Sequence, residues 1–324
     1  EEGLEPRLFS LCTDDSHSAT LVNEGHMDRA IRHAVSTGLQ PMTAIQMATI
    51  NTAEHFGLTR ELGMIAPGRH ADLLLVKDLQ QFSADLVIAR GEVVVEDGNL
   101  LADHPLVRYP DWALQSVHFP HMLTPVDFTI TALRDFPHTA HVIGIIENQA
   151  PTRHLLMTVI PEKGEILADM KRDVMKLALI ERHHNTGKVQ MGLVQGFGFN
   201  CPCAIASTVA HDAHNMIVVG TDGENMAIAA NHLAAMNGGQ IVVKEGKVIG
   251  KVSLPIAGLM SDQPAVKVAE EASTVLEGLR KCGCSLQNAN MQLSLLGLVV
   301  IPELRISDLG LVDTVKFDFI HLLE

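Results

Sequence analysis

Aromatic side chains are almost missing from this chain. Its 324 residues include one Trp and one Tyr, so any core must be built from Ala, Leu, Val, Ile and the 14 Met. Basic charge is also short. Lys and Arg number 24 against 38 Asp and Glu, a formal net charge of −14. Such a surface repels nucleic acid and anionic lipid, and leaves a small neutral or cationic substrate as the expected ligand. No uninterrupted apolar run reaches the roughly 18 residues of a membrane helix. The opening Glu1-Glu2-Gly3-Leu4 is neither a signal peptide nor an initiator Met, so the chain reads as a fragment. Cysteine is sparse and odd in number: Cys12, Cys201, Cys203, Cys282 and Cys284. That usage suggests free thiols in a reducing compartment, the cytoplasm. What remains is 47% hydrophobic and 19% charged, a globular composition with length for about two domains.

Residues 8–12, Leu-Phe-Ser-Leu-Cys, read as a short buried strand that stops at the polar run Thr13-Asp14-Asp15-Ser16-His17. A helix is predicted over 24–37, with Met27, Ile31, Ala34 and Val35 on one face and Gly38 at its end. Pro41 opens a second helix to about His55, with Ile45, Ala48 and Thr49 facing inward. The texture then changes to turns and strands. Gly63–Gly68 is a turn, 71–76 a strand, and Arg90-Gly91 joins a hairpin. The Pro-containing stretch 105–125 reads as a linker. Beyond it, strands are expected at 141–146, 154–160, 174–181, 189–195 and 216–220. Thr221 or Asp222 should cap a helix that Asn237-Gly238-Gly239 ends. A hairpin around Gly246 and a helix from Ser261-Asp262 to about Lys281 follow. The Met residues at 226, 236 and 260 are expected in the core.

Two polar constellations could carry chemistry. The first is Cys12–His17. An acid at the C-terminal end of a strand, ahead of a helix, is where barrel enzymes place catalytic groups. A carboxylate there suits a divalent metal and can shuttle protons. Asp-Asp-Ser also makes turns and helix caps, and Asp15 is read as a cap in preference to a substrate contact. The second is His211-Asp212-Ala213-His214-Asn215. Two His and an Asp within four residues could bind metal or contact a ligand. They could equally form a hydrogen-bonded polar turn, and in a strand their side chains would point to opposite faces.

The order of segments narrows the reading. Thr13-Asp14, the helices, Met47-Ala-Thr-Ile-Asn-Thr-Ala53 and Gly63-Met-Ile-Ala-Pro-Gly-Arg-His-Ala-Asp-Leu73 resemble the end of the amidohydrolase superfamily. Cys12-Thr-Asp-Asp15, Glu24-Gly-His-Met-Asp28, Glu181-Arg-His183, Gly196-Phe-Gly-Phe199, Ala210–Gly220 and Leu254–Ser261 resemble the adenine deaminase family, nearly end to end. The resemblance implies an α/β chain: the end of a (β/α)8 barrel at 1–59, part of a β-sandwich at 60–104, and a mixed α/β C-terminal domain at 126–324. It implies hydrolysis of adenine to hypoxanthine and ammonia by a metal-activated hydroxide. The cofactor would be a divalent metal pair, manganese or iron in preference to zinc. Asp14 would be both ligand and proton shuttle, with the other ligands upstream of Glu1, so this chain alone should be inactive.

Asp15, His17, His211, Asp212, His214 and Asn215 remain candidates for contacting substrate or lining an interface. Adenine and water are the implied partners, without nucleic acid or membrane, and a homo-oligomer is expected. Another amidohydrolase, such as a cyclic amide hydrolase or deacetylase, and a non-catalytic amidohydrolase-like binding protein are the rival readings. Cys201-Pro-Cys203 and Cys282-Gly-Cys284 lack the Cys-x₂₋₄-Cys spacing of structural zinc and read as unpaired thiols. Cys203 also stands where the family pattern has glycine. His183 and His184 read as surface or hydrogen-bonded histidines, and the run from His118 to His138 as an ordinary loop.

Overall fold

Two periodicities organise the chain into separate units, one of residues up to Arg108 and one from Tyr109 to Glu324. The structure, a computed structural model, describes residues 3–102, 107–132 and 136–324. Pro105 and Leu106 of the expected linker lie outside the described residues.

The first unit begins with helices α1 (Ser18–Asn23), α2 (Met27–Ser36), α3 (Pro41–Ala48) and α4 (Ile50–His55). The helix expected from residue 24 thus starts at Met27. Met27, Ile31, Ala34 and Val35 do share the face that packs with Ala44, Phe82 and Val76. Gly38 ends α2 at φ 108°, its N–H donating to the Val35 carbonyl. The long helix expected from Pro41 is broken at Thr49. Its hydroxyl donates back to the Ile45 carbonyl at 2.6 Å, and Asn51 donates to the Pro6 and Phe9 carbonyls, both at 2.9 Å. These long-range bonds outweigh helix continuity. Residues 8–12 are not a strand. Among the described residues no strand lies beside them to complete a ladder, and Leu8 belongs to a 3-10 turn, Pro6–Leu8. Strands β1 (Leu73–Val76), β2 (Ala84–Ala89), β3 (Glu92–Glu96) and β4 (Asn99–Leu100) form one antiparallel meander. Arg90 and Gly91 both take positive φ, as a two-residue hairpin turn requires.

The second unit holds α5 (Asp111–Leu114), then β5 (His138–Ile145), β6 (Thr152–Val159), β7 (Val174–Ile180), β8 (Val189–Gln195), β9 (Cys203–Ser207) and β10 (Met216–Gly220). There follow α6 (Gly223–Ala235), β11 (Gly239–Lys244), β12 (Lys247–Ser253), α7 (Ala265–Lys281) and α8 (Ala289–Leu295). Three short strands close the chain: β13 (Leu304–Ser307), β14 (Gly310–Asp313) and β15 (Asp318–Ile320). The eight-stranded sheet has order β12-β11-β9-β10-β7-β8-β5-β6, antiparallel throughout except where β5 meets β8.

Its central strands β9, β10 and β7 are apolar except at Ser207 and Lys176 because both faces are covered, and side chains alternate between two cores. Met175, Leu177, Leu179, Ile205, Ile217 and Val219 face one core with Val275 and Leu279 of α7, Leu293 of α8, and Leu304 and Ile306 of β13. Ala178, Ala204, Ala206, Met216 and Val218 face the other, against Met226, Ala229, Ala230 and Leu233 of α6. Asp222 caps α6 by accepting the Asn225 N–H at 2.8 Å. Gly239 has φ 134°, and a Cβ there would overlap the Val252 carbonyl oxygen, so only glycine lets β11 start so close to β12.

Three expectations are revised in this unit. Strand β9, outside the predicted set, lies in the middle of the sheet. Met260 is exposed, whereas Met226 is buried and Met236 partly so. Residues 110–125 are built into the unit: Ala113 and Leu123 are buried, and the His118 N–H donates to the Arg182 carbonyl at 3.0 Å.

On β5 and β6 the rings of His141 and His154 meet at 2.6 Å, Nδ1 to Nε2. Glu324 lies 3.2 Å from His141 Nε2, and Asp313 lies 3.9 Å from His154 Nδ1. Burial, then the neighbouring His141, lowers the pKa of His154 below its ordinary 6.5. The unfolded chain therefore binds more protons than the folded one just below pH 6.5, and stability is lost as pH falls through that window. Urea midpoints between neutrality and about pH 5 should fall, and more steeply for the native chain than for His154→Gln; equal slopes would remove the assignment. Truncating the fully buried Leu177 to Ala should cost about 2–5 kcal/mol in the same measurement.

Candidate functional site

Asp14 sits on an exposed loop in the left-handed region, φ 53°, uncommon for a residue with a side chain. Its Oδ1 accepts the Asp15 N–H at 2.7 Å. On one side the loop is tied by Thr13 Oγ1 to His26 Nε2, 3.0 Å apart. On the other, His17 Nδ1 accepts the Ala19 N–H at 3.2 Å. The cap of α1 is therefore His17, not Asp15. Residues 24–28 also have structural work to do. Asp28 accepts the His26 N–H and pairs with Arg32, each at 2.7 Å, and Arg32 also donates to the Glu24 carbonyl. Burial raises the Asp28 pKa, but the Arg32 and His26 hydrogen bonds outweigh it and hold the carboxyl below its usual range. A concavity of about 540 Å³ along α2 is lined by Asn23, Glu24, Arg29, Arg32, His33 and Ser36, and Asp14 is not among its lining residues.

The second constellation is a turn, as its residue types required for convergence. His211 N–H donates to the Ser294 carbonyl at 3.1 Å, and His214 Nδ1 accepts the Ala210 N–H at 3.2 Å. The two rings lie 5.4 Å apart, and Asp212 is exposed, 3.6 Å from His211 Nδ1. Asn215 is buried at the start of the adjoining strand, and among the described residues neither its Oδ1 nor Ser294 Oγ has a hydrogen-bond partner. His183 Nε2 lies 2.8 Å from the Ala213 carbonyl, so this histidine braces the turn.

What draws these segments together is Arg182, 1% exposed. Its guanidinium donates Nε–H to the His214 carbonyl at 2.5 Å and Nη1–H to the Ser116 carbonyl at 2.7 Å and hydroxyl at 3.0 Å. Nη2–H reaches the Ala257 carbonyl at 3.0 Å. Gly258 makes room for it, since a Cβ there would lie 2.9 Å from Nη1. Burial pulls the Arg182 pKa down to about 10, with Glu181 opposing the drop, and the group stays charged at neutral pH. Glu181 itself is resisted by burial but accepts the His184 N–H, the Thr186 hydroxyl and N–H, and the His183 N–H. These hold its pKa at about 2. The 181–183, 210–220 and 254–261 segments are thus one hydrogen-bonded cluster. Sequence reasoning found the segments but not the arginine that joins them.

Among the described residues, the group of three His, Cys, Asp or Glu with ligand atoms close enough to share a metal ion is Cys201, Cys203 and Cys282. It contains none of Asp14, Asp15, His17, His211, Asp212 or His214. The two Cys-x-Cys pairs were separable in sequence only as isolated thiols, because the fold alone brings 201–203 beside 282.

Replacing Arg182 by Met keeps bulk but removes every donor. Each carbonyl left unpaired costs about 1–3 kcal/mol, so unfolding free energy should drop by about 3 kcal/mol or more. Lys should not rescue it, since one ammonium cannot span the fork. A urea midpoint unchanged in Arg182→Met would show the hub to be dispensable.

The family described as adenine deaminase C-terminal domain matches residues 149–318, and the amidohydrolase family matches residues 1–94. A protein of Paracoccus denitrificans (strain Pd 1222) named adenine deaminase is 54% identical over 323 residues, covering 100% of this chain and 54% of that relative. One of Ruegeria pomeroyi with the same name is 54% identical over 326 residues, with the same coverage. One of Moorella thermoacetica, also so named, is 44% identical over 324 residues, again covering 54% of its length. The chain spans about half the length of the curated relatives it matches. With a family match across more than half of its residues, the chain belongs to the adenine deaminase C-terminal domain family.

Proposed function

We propose that the whole protein hydrolyses adenine to hypoxanthine and ammonia. The observation that carries this reading is that proteins named adenine deaminase match 100% of this chain at 54% identity. We read residues 1–59 as the end of a (β/α)8 barrel, 60–104 as part of a β-sandwich and 126–324 as the C-terminal domain. Within this scheme Asp14 is the contribution of this chain to the chemistry. Its exposed carboxylate, on a backbone strained into positive φ, is the kind of group found at reaction centres.

A divalent metal pair, manganese or iron, would supply a hydroxide-like nucleophile at neutral pH. No set of three ligand-type residues surrounds Asp14 among the described residues, so those residues do not by themselves fit a metal pair. What Asp14 can do is hold a proton taken from the nucleophilic water and hand it to the purine as the amino group departs. Asp15, beside it, remains a candidate substrate contact. His17 has its Nδ1 committed to the α1 cap. The 211–215 turn is placed by Arg182 and braced by His183, which favours a structural task for it.

No helix of the described residues is long and apolar enough to cross a membrane. The five free cysteines support a reducing, cytoplasmic setting. Exposed apolar side chains such as Leu8, Ile65, Trp112 and Val126 support further burial in the whole protein or in a homo-oligomer.

Full-length protein supplied with manganese(II) or iron(II) should release ammonia from adenine, and chelation should abolish the release. Asp14→Asn should lower kcat by at least about a hundredfold with folding intact. The present chain alone should release none. Turnover of a cyclic amide or an N-acetyl sugar without turnover of adenine would overturn the proposal. Turnover of no substrate at all would leave a binding protein as the function.

A further inference from the structure

Three cysteines that the proposed reaction does not use lie together far along the sequence from Asp14. Cys201 and Cys203 flank Pro202 at the entry to β9, and Cys282 caps the C-terminus of α7. Their sulfur atoms all lie within 4.8 Å of one another. Cys203 and Cys282 are buried at 1% and 0% exposure, whereas Cys201 is half-buried and leaves a path to solvent. The scaffold around them is firm. Cys282 N–H donates to the Gly278 and Leu279 carbonyls, and its own carbonyl accepts the Asn200 N–H at 3.0 Å. Cys203 is held in the sheet, its N–H donating to Thr221 Oγ1 at 2.8 Å.

We propose that Cys201, Cys203 and Cys282 form a three-sulfur site for a soft closed-shell cation such as zinc(II) or copper(I). A metal 2.3 Å from three thiolates holds them roughly 4 Å apart, which the observed cluster reaches with small side-chain movement. One feature of the surroundings suits the net negative charge of a cation bound by three thiolates. Lys244, opposite Cys203 in the ladder, donates its ammonium to the Lys281 carbonyl at 2.9 Å and offsets the excess negative charge of three thiolates. Loading displaces one proton from each thiol to solvent, with no change of oxidation state. Cys284, also buried, lies outside the cluster, and burial pushes its thiol up to about 11. The site does not depend on the deaminase reading.

The test uses the full 324-residue chain, reduced with a phosphine, and cadmium(II) alone as the probe. Titration should give a thiolate-to-cadmium charge-transfer band that saturates at one ion per chain, with release of three protons. Cys201→Ser, Cys203→Ser and Cys282→Ser should each lose most of the band, while Cys284→Ser and Asp14→Asn keep it. Cys201→Ser alters a half-buried atom, so it decides the matter if the two buried variants do not fold, as judged by circular dichroism. A folded, reduced chain with no band overturns the proposal. So does a band that survives Cys201→Ser, or one that disappears with Cys284→Ser. A chain that only oxidises to a Cys203–Cys282 disulfide without binding cadmium overturns it as well.

Discussion

One buried cation without a carboxylate directly bound to it holds three loops of the second unit in place. Arg182 offers its donors to main-chain oxygens of residues 116, 214 and 257, drawn from three distant parts of the sequence. A guanidinium is suited to this because its planar fork can satisfy several carbonyls at fixed angles. Carbonyls are suited because they cannot be desolvated without a partner. The dependence is mutual. Without the loops the charge would be stranded, and without the charge the loops would have buried oxygens and no donors. Arg305 repeats the device elsewhere in the same unit. It donates to the carbonyls of Leu295, Ala150, Ile301 and Pro302, and burial lowers its pKa to about 10.

This changes how the family-like segments are understood. Glu181-Arg182-His183, Ala210–Gly220 and Leu254–Ser261 carry most of the resemblance to adenine deaminases, and their polar residues invite a catalytic reading. In the structure Glu181 fastens the turn at 183–186, Arg182 joins the segments, and His183 braces residue 213. The hydrogen bonds of these three residues hold the fold together. Asp14 is the opposite case: its local sequence is an unremarkable turn, and its surroundings leave it exposed and conformationally strained.

The parts of the fold legible in the sequence were those whose burial repeats at a fixed period. β7 and β10 read as strands because both faces are covered and no polar interruption intervenes except Lys176, which is buried and reaches the Phe128 carbonyl and Glu165. α6 was legible from its Asp222 cap and its Gly-Gly stop. β9 was not, because in Cys203-Ala-Ile-Ala-Ser207 every residue but Ile205 has a small side chain with little intrinsic strand preference. The break at Thr49 depends on Asn51 finding carbonyls more than 40 residues away, information no local window holds. Residues 8–12 show the converse, since an apolar run is a strand only when another strand accepts its hydrogen bonds. The site followed the same rule. Asp14 could be named from order along the chain, whereas the Arg182 hub and the thiol cluster exist only through tertiary approach.

The two faces of the large sheet are built on different scales. Toward α7, α8 and β13 the strands present mainly Leu, Ile, Val and Met, but toward α6 Ala178, Ala204 and Ala206 stand among Met216, Val218, Ile241 and Val243, in one core with Ala229 and Ala230. At those alanines the space between α6 and the sheet is filled by methyl groups. Sequence drift on the two sides must be asymmetric. The large-residue face can exchange one branched aliphatic for another of similar volume, with neighbours adjusting. The alanine face has almost no smaller residue to move to and no space for a larger one, so substitutions there would have to be matched by a displaced helix. In a diverging lineage, α6 should be the slowest clock in the unit.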